Sequence, residues 1–215
     1  ALLSHPAVLE CAVVGLPDPR WVAAMLDAVR AGRGRVLEGP TLTDRPRRRL
    51  DEEAPYNPSG GYLWACNMAV EKAVFDALGG FCEQFVGTAG SEDTDLRLRL
   101  AKAGHALAFV PDAVVCHPWR RARPLRFQFA VGRSYLLLCE RHPEMLGDAT
   151  WGGVLLYLLR SGRILLVESR RVGLAGLGFE LGRLAIGTGF SAVAVARRRS
   201  ARARTKPPGQ PSIST

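Results

Sequence analysis

Residues 79–117 constrain the fold of this chain more than any other stretch. A Gly-Gly pair is followed by a loop, by a predicted helix and by strands that end at His117. Glu92, Asp93 and Asp95 fall in the first turn of that helix, where the helix dipole favours negative charge. The carboxylates and the imidazole are therefore expected at neighbouring ends of a helix and a strand, which is where α/β sheets build their sites.

Strand-like and helix-like segments alternate through the first two thirds of the chain. Short apolar runs predict strands, and apolar residues at helical spacing predict helices between them. This alternation predicts an α/β fold in which helices flank a mixed sheet, and the polar stretch 41–58 is expected to form an exposed loop. The predicted strands are 11–14, 36–37, 61–66, 106–110 and 113–116, and the predicted helices are 21–31, 68–78, 91–103 and 124–141.

The formal net charge of +9 belongs to the C-terminal part of the chain. Residues 1–150 carry 18 basic and 18 acidic side chains, whereas residues 151–215 carry 11 basic and 2 acidic ones. A neutral body argues against a nucleic-acid-binding core, whose basic side chains are spread over the folded elements. A basic region beside apolar helices instead favours a peripheral position on an anionic membrane surface.

Two apolar segments of this basic region, 151–167 and 172–196, are predicted to be helices. The longest uncharged apolar run, 184–196, has 13 residues, fewer than the roughly 20 that a spanning helix needs. We therefore expect helices that lie on the membrane surface, followed by a basic, disordered tail at 197–215. Five cysteines without metal-ligand spacing are typical of reduced thiols, so we expect a cytoplasmic protein at the inner face of the cell membrane.

Four short motifs follow one another along the body of the chain. They are 66–69 (CNMA), 79–83 (GGFCE), 92–96 (EDTDL) and 111–117 (PDAVVCH). Together they resemble the second half of the catalytic domain of family-2 glycosyltransferases, which have the GT-A fold. The resemblance covers about 21–143, and it implies the acceptor-side half of a nucleotide-diphospho-sugar transferase.

This resemblance implies an enzyme that transfers a sugar from a nucleotide-sugar donor to a glycan or lipid-linked acceptor with inversion, as in cell-wall or polysaccharide biosynthesis. Such a transfer needs a base for the proton of the attacking hydroxyl. By resemblance, Asp93 is that base and Glu92 positions the acceptor. His117 corresponds to a position that contacts a divalent cation, Mg²⁺ or Mn²⁺, or the leaving diphosphate. The other substrate-binding residues implied are Asn67, Gly79, Gly80, Glu83, Asp95, Arg120 and Arg121.

The chain departs from the family pattern near its start. Residues 12–14 are Ala-Val-Val where the family places the Asp-x-Asp that holds the cation, and Cys82 replaces the usual Asp after Gly-Gly-Phe. We therefore expect the donor-binding half to lie upstream, which makes this chain a truncated enzyme and leaves its activity on its own open. The tryptophans Trp64 and Trp119 are interpreted as packing residues rather than as surfaces that stack on sugars.

The expected organisation has four parts, and two alternative functions stay open beside the transferase. One alternative is a non-catalytic module that binds membranes through the C-terminal helices. The other is a fragment of an AMP-forming acyl-CoA synthetase, because residues 1–21 also resemble a segment of the C-terminal subdomain of those enzymes. The four parts are an atypical start at 1–20, a glycosyltransferase half at 21–143, membrane-associating helices at 144–196 and the tail at 197–215.

Overall fold

The computed structural model is a mixed α/β structure, with six helices and small mixed sheets in the part of the chain that it describes. This confirms the α/β class that the alternation of segments predicts, and the finer GT-A architecture stays a prediction. The expected strand at 11–14 and the end of the expected tail lie outside the described residues, which are 16–17, 20–85, 90–146 and 149–205.

The strands are two or three residues long and form three small sheets. They are β1 (Leu16–Pro17), β2 (Val36–Glu38), β3 (Thr41–Thr43), β4 (Glu52–Glu53), β5 (Met68–Val70), β6 (Leu107–Phe109), β7 (Val115–His117) and β8 (Arg120–Arg121). In the first sheet, β2 lies between antiparallel β5 and parallel β6. In the second, β7 lies between antiparallel β1 and parallel β3, and β4 pairs with β8 in the third.

The helices divide into three that flank the sheets and three longer ones at the C-terminal side. Helix α1 was expected to end at Gly32 and does stop just before it, where the glycine has a φ of +64°. The six helices are α1 (Trp21–Arg30), α2 (Lys72–Ala77), α3 (Glu92–Lys102), α4 (Leu125–Arg141), α5 (Trp151–Val172) and α6 (Leu177–Thr205).

Strand β2 supplies residues to two separate hydrophobic cores. Its neighbours Val36 and Leu37 point to opposite faces of the sheet, as alternate strand residues do. Leu37 packs with α1 and with the residues from Val110 to Val115 that lead into β7. Val36 packs with α2 and α3. The sheet therefore has a covered face on each side. The first core contains Trp21, Met25, Ala28, Leu37, Val110, Ala113 and Val115, and the second contains Val36, Leu63, Val74, Leu96 and Leu100.

Two segments differ from the sequence-based expectation. The predicted strand 61–66 is a loop that ends in a short 3₁₀ turn, and the first residues of the predicted helix 68–78 form β5 instead. The pairing of β5 with β2 explains the second error, because a partner strand decides the conformation of residues that read as helical in isolation. The polar stretch 41–58 contains β3 and β4, and its Leu50 is buried.

Asp95 joins three elements through a buried ion cluster. Its carboxylate, which is fully buried, accepts hydrogen bonds from Arg99 Nε at 2.8 Å, Arg141 Nε at 2.9 Å and His142 Nε2 at 2.9 Å. The Arg99 guanidinium also donates to the carbonyl of Gly80 at 2.7 Å. Helix α3 is thus tied to the end of α4 and to the Gly-Gly turn that follows α2.

Helices α5 and α6 form a hairpin that is attached to the body of the protein. On one side α6 packs along α4, where Phe129 and Phe190 meet edge to face with ring centroids 6.3 Å apart. On another side α6 packs along α5. The turn between the two helices docks on residues 49–51, since the N–H of Leu50 donates to the carbonyl of Ala175 at 2.9 Å.

Helix α6 is compatible with membrane association. Within the described residues, its segment Leu177–Ser200 is long and apolar enough to cross a membrane, and 17% of that segment is buried. The helix continues to Thr205, so residues 197–205 are helical although the sequence predicted disorder there. Nothing in the fold tests the expected cytoplasmic location.

We expect Asp95→Asn to lower the free energy of unfolding by about 3 kcal/mol, because it leaves the partly buried guanidinium groups of Arg99 and Arg141 without their counter-charge. For a chain of this size that corresponds to a fall in Tm on the order of 10 °C. Burial raises the pKa of Asp95, but the hydrogen bonds from Arg141, His142 and Arg99 outweigh it and hold the pKa below its usual range. The stabilisation is therefore present above the ordinary aspartate pKa and is lost as the pH falls towards the lowered one.

Asp76→Asn is the matched control for this measurement. Asp76 forms an exposed pair with Lys72 one helical turn away on α2. Losing such a pair changes the free energy of unfolding by about 0.5 kcal/mol or less. Equal shifts in Tm for the two variants at pH 7 would contradict this prediction, because the buried cluster would then contribute no more to stability than an exposed ion pair.

Candidate functional site

A cavity of about 820 Å³ lies at the start of α3, between the sheets and the C-terminal helices. Its walls come from β4, the stretch 64–66, the first residues of α3, residues 119–123 and the facing sides of α4 and α6. A cavity of this size accommodates a small organic ligand. Four aromatic rings line it, contributed by Trp64, Trp119, Phe127 and Phe179.

Glu92 and Asp93 reach this cavity from the first turn of α3. The Asp93 Oδ1 atom accepts hydrogen bonds from the N–H of Thr94 at 2.7 Å and from its hydroxyl at 3.3 Å. The backbone N–H of Ala65 also donates to Asp93. The carboxylate is thus held by two segments of the cavity wall, as a group that must be aimed at a ligand should be.

Burial raises the pKa of the Asp93 carboxyl above its usual range, and the neighbouring negative charge of Glu92 raises it further. Hydrogen bonds from Thr94 and Ala65 oppose this rise without cancelling it. A carboxylate whose pKa is raised towards neutrality accepts a proton more readily, which is the property of a general base.

Two residues with left-handed backbone flank the site. Leu63, with a φ of 52°, precedes the wall segment 64–66, and Ser91, with a φ of 81°, precedes Glu92 and Asp93. Non-glycine residues in this region are strained, and such strain often occurs at functional sites. Ser91 stands at the N-cap position of α3, but its side chain makes no capping hydrogen bond.

A buried carboxylate of β2 holds the loop that carries Trp64. Glu38 accepts a hydrogen bond from the N–H of Leu63 at 2.7 Å and another from the N–H of Gly61. A side chain on Gly60 would meet Glu38 Oε1 at 2.6 Å, and the φ of Gly60 is +80°. The loop therefore needs glycine at this position and keeps its path through Glu38.

Most of the arginines in the cavity wall have carboxylate partners. Arg47 Nη2 lies 3.1 Å from Glu180 Oε1, and Arg183 pairs with the same Glu180. Arg120 Nη2 lies 3.2 Å from Glu53 Oε1 across the β4–β8 pair. Glu180 is buried between its two cations, so α6 is held against the segment around Arg47 by charge as well as by the docked turn.

Of the residues that the resemblance implies, the structure brings Glu92, Asp93 and Arg120 to the cavity. Asn67 is instead buried inside the fold. Its Oδ1 accepts a hydrogen bond from Trp21 Nε1 at 2.7 Å, and its Nδ2 donates to the carbonyl of Pro40 at 2.8 Å. The side chain of Asn67 therefore joins α1 to the strands and does not line the cavity.

The Gly-Gly turn and its neighbours also lie away from the cavity wall. Gly79 and Gly80 have φ values of +75° and +67° and form the turn after α2. Asp95 is buried beneath them in its ion cluster, and Glu83 is exposed in a short 3₁₀ turn. None of these four residues lines the cavity.

Arg121 and His117 are also placed outside the cavity lining. Arg121 forms an ion pair with Asp51. His117 is buried at the end of β7, with Nδ1 3.4 Å from the carbonyl oxygen of Pro118. Within the described ranges, no group of three or more His, Cys, Asp or Glu side chains is placed to hold a metal ion. The cation contact expected at His117 stays a prediction.

Sequence reasoning missed most of the cavity wall. Trp64 and Trp119, interpreted as packing residues, both line the cavity, and so do Arg47 and Phe179. No local pattern indicates the contact between Arg47 and Glu180, because 133 residues separate them. The apolar residues at helical spacing that predict the helix 124–141 were a usable signal, since Phe127 is one of them.

Comparison with protein-family models, with curated proteins and with solved structures finds no match for this chain.

We expect Asp93→Asn to raise the Tm at pH 7, because it removes a buried charge and keeps the shape of the side chain. The raised pKa means that the folded state binds more protons than the unfolded state as the pH rises above the ordinary aspartate pKa, so the stability of the native chain falls across that window. The difference in Tm between variant and native protein should vanish at lower pH. Thermal unfolding across the pH range measures it.

Asp27→Asn provides the comparison, since Asp27 is exposed on α1 beside Arg30. Its effect should stay within about 0.5 kcal/mol. If Asp93→Asn instead destabilises the protein at pH 7, the charged Asp93 carboxylate stabilises the fold as a helix cap, and burying its charge carries no net cost.

Proposed function

We propose that the cavity is the acceptor side of an inverting sugar-transfer site in which Asp93 is the general base. The observation that carries this proposal is the Asp93 carboxylate on the wall of an 820 Å³ cavity, with a pKa raised by burial and by Glu92. The resemblance to family-2 glycosyltransferases gives the same residue the same role, on grounds independent of the cavity.

In the proposed reaction, an acceptor hydroxyl binds against Asp93 and loses its proton to the carboxylate. The hydroxyl oxygen forms a bond to the anomeric carbon of the donor sugar on the face opposite the leaving group. The bond between that carbon and the nucleotide diphosphate breaks, and the diphosphate takes the electron pair. Removing the proton as the new bond forms contributes about 10²- to 10⁴-fold to the rate of such steps.

The other cavity residues supply binding and orientation. Glu92 stands beside Asp93 and is suited to accept a hydrogen bond from a second hydroxyl of the acceptor. Trp64 and Trp119 line the cavity and are suited to stack on sugar rings, although Tyr62 stacks on Trp64 and Arg47 lies over Trp119. The indole N–H of Trp119 already donates to the carbonyl of Arg45 at 2.7 Å. That hydrogen bond fixes the Trp119 ring in the wall and lowers the entropic cost of binding.

No step of this proposal is assigned to a metal ion. The family expectation of Mg²⁺ or Mn²⁺ needs carboxylate ligands, and clusters of three or more His, Cys, Asp or Glu side chains that could hold a metal ion are absent from the described residues. Residues 12–14, which are Ala-Val-Val, are also without ligand side chains. The proposed substrates are a nucleotide-sugar donor and a glycan or lipid-linked acceptor.

We expect the purified chain to transfer sugar slowly from at least one nucleotide-sugar, and Asp93→Asn to lower the rate by at least about 100-fold through loss of the base. The assay incubates the protein with a panel of uridine- and guanosine-diphosphate sugars, with and without Mg²⁺ or Mn²⁺. Simple glycosides and a lipid-linked sugar serve as acceptors, and mass spectrometry detects the product. Asp27→Asn should leave the rate unchanged.

Several outcomes would count against the transferase. Folded native protein that transfers no sugar from any donor contradicts it for this chain. Equal rates for the native protein and Asp93→Asn would remove Asp93 from the role of base. Formation of an acyl-adenylate from ATP and a fatty acid would favour the acyl-CoA-synthetase fragment instead.

A further inference from the structure

Helix α5 leaves an unusually large apolar surface uncovered. Val154 is its one side chain in the buried class, although the helix has 22 residues, a length of about 33 Å. The exposed fractions of Leu155, Leu159 and Leu166 are 57%, 62% and 52%. A soluble helix normally turns such a stripe towards a core, so this one is without a partner in the described part of the chain.

The three most exposed leucines of α5 share one side of the helix. At 100° per residue, Leu155, Leu159 and Leu166 fall within about 40° of one another, and Val154 lies well away from them on the side packed against α6. Leu156 and Val167 continue the exposed surface on the adjacent side. We call these five residues the outer face of α5.

Arginines lie within the outer face and at its edge. Arg160, Arg163 and Arg170 project from the same half of the helix, and among the described residues none of them has a carboxylate partner at ion-pair distance. Residues 151–215 hold 11 basic and 2 acidic side chains. Long arginine side chains can lie along an apolar surface with the guanidinium at the level of lipid phosphates. The face therefore complements an anionic interface in both polarity and charge.

The packing of α6 argues against a membrane-spanning position for this helix. Although α6 is apolar enough to cross, its Phe190 packs on α4 and its Glu180 is buried in the wall of the cavity. Glu180 is paired there with Arg47. Crossing a bilayer would break these contacts and carry a carboxylate into hydrocarbon.

We propose that the outer face of α5 binds the surface of a bilayer that contains anionic lipids, with the helix axis parallel to the membrane plane. The leucines enter the boundary between headgroups and acyl chains, and Arg160, Arg163 and Arg170 contact the lipid phosphates. This proposal does not depend on the transferase. It assigns the membrane contact to α5, whereas α6 serves as the support between α5 and the body.

One consequence concerns the cavity. Phe179, Glu180 and Arg183 of α6 form part of its wall, and the turn before them is docked on residues 49–51. The cavity is therefore held at a fixed position relative to the outer face of α5. A membrane-bound molecule keeps the same wall in the same orientation to the lipid surface.

Vesicle co-sedimentation tests the proposal with the full chain and no substrate. We expect tight binding to vesicles of phosphatidylcholine with phosphatidylglycerol and weak binding to phosphatidylcholine alone. The double variant Leu155→Glu/Leu159→Glu should bind both kinds of vesicle at least about 10-fold more weakly, because it places charge where apolar side chains enter the lipid.

The triple variant Arg160→Gln/Arg163→Gln/Arg170→Gln separates charge from apolar insertion. It should lower binding to the anionic vesicles by about 100-fold, since each basic residue near such a surface contributes about fivefold. Binding to phosphatidylcholine alone should change little. Added salt should weaken the binding of the native protein to anionic vesicles and should change the binding of the triple variant little.

Val29→Glu, at an exposed apolar position on α1, is the matched control and should bind as the native chain does. Asp93→Asn should also bind normally, so failure here and failure of the transferase can be told apart. Circular dichroism checks folding, which the exposed substitutions should preserve.

Native protein that does not bind anionic vesicles, or a double variant that binds them as well as the native protein does, would overturn the proposal. So would a dimer in solution that the leucine substitutions dissociate, because a second chain would then cover the face.

Discussion

The buried carboxylate of Asp95 is the interaction on which the arrangement of the site depends. Asp95 and Asp93 are two residues apart on α3 and therefore project from nearly opposite sides of the helix. The first is gripped by Arg99, Arg141 and His142, and the second is presented to the cavity. Fixing the inner side of the helix in this way sets the direction of the outer side. The rigid ion cluster thus orients the carboxylate with which a ligand would react.

A second ionic contact joins parts of the chain that are far apart in sequence. Glu180 on α6 lies between Arg47 and Arg183, and the turn that precedes α6 rests on Asp51 so closely that Gly176 has no room for a side chain. Helix α6 is consequently part of the cavity rather than an appendage to it. The expected boundary between 21–143 and 144–196 stays a prediction, and elements from both sides of it line the cavity.

The sequence predicted those features that local signals determine. Helices α1, α3 and α4 each end just before a glycine or a His-Pro pair. The helix pattern itself predicts that Glu92 and Asp93 lie at a helix start. The conformation of 68–70 was mispredicted because its pairing with β2 depends on a partner outside the local window. The cavity wall was missed for the same reason, since Trp64, Phe179 and Arg47 come together only through tertiary packing. Asn67 and Asp95, which the resemblance also implied, lie where they hold the fold together.

The two-faced strand β2 also limits how a chain of this kind can change over time. Val36 and Leu37 serve different cores, and Glu38, next to them, holds the loop of the cavity. Inserting or deleting one residue here would exchange the contents of both cores at once and turn a carboxylate into an apolar layer. Length variation among related sequences is therefore expected in the connections between elements, and the spacing from α1 to β3 should be almost invariant.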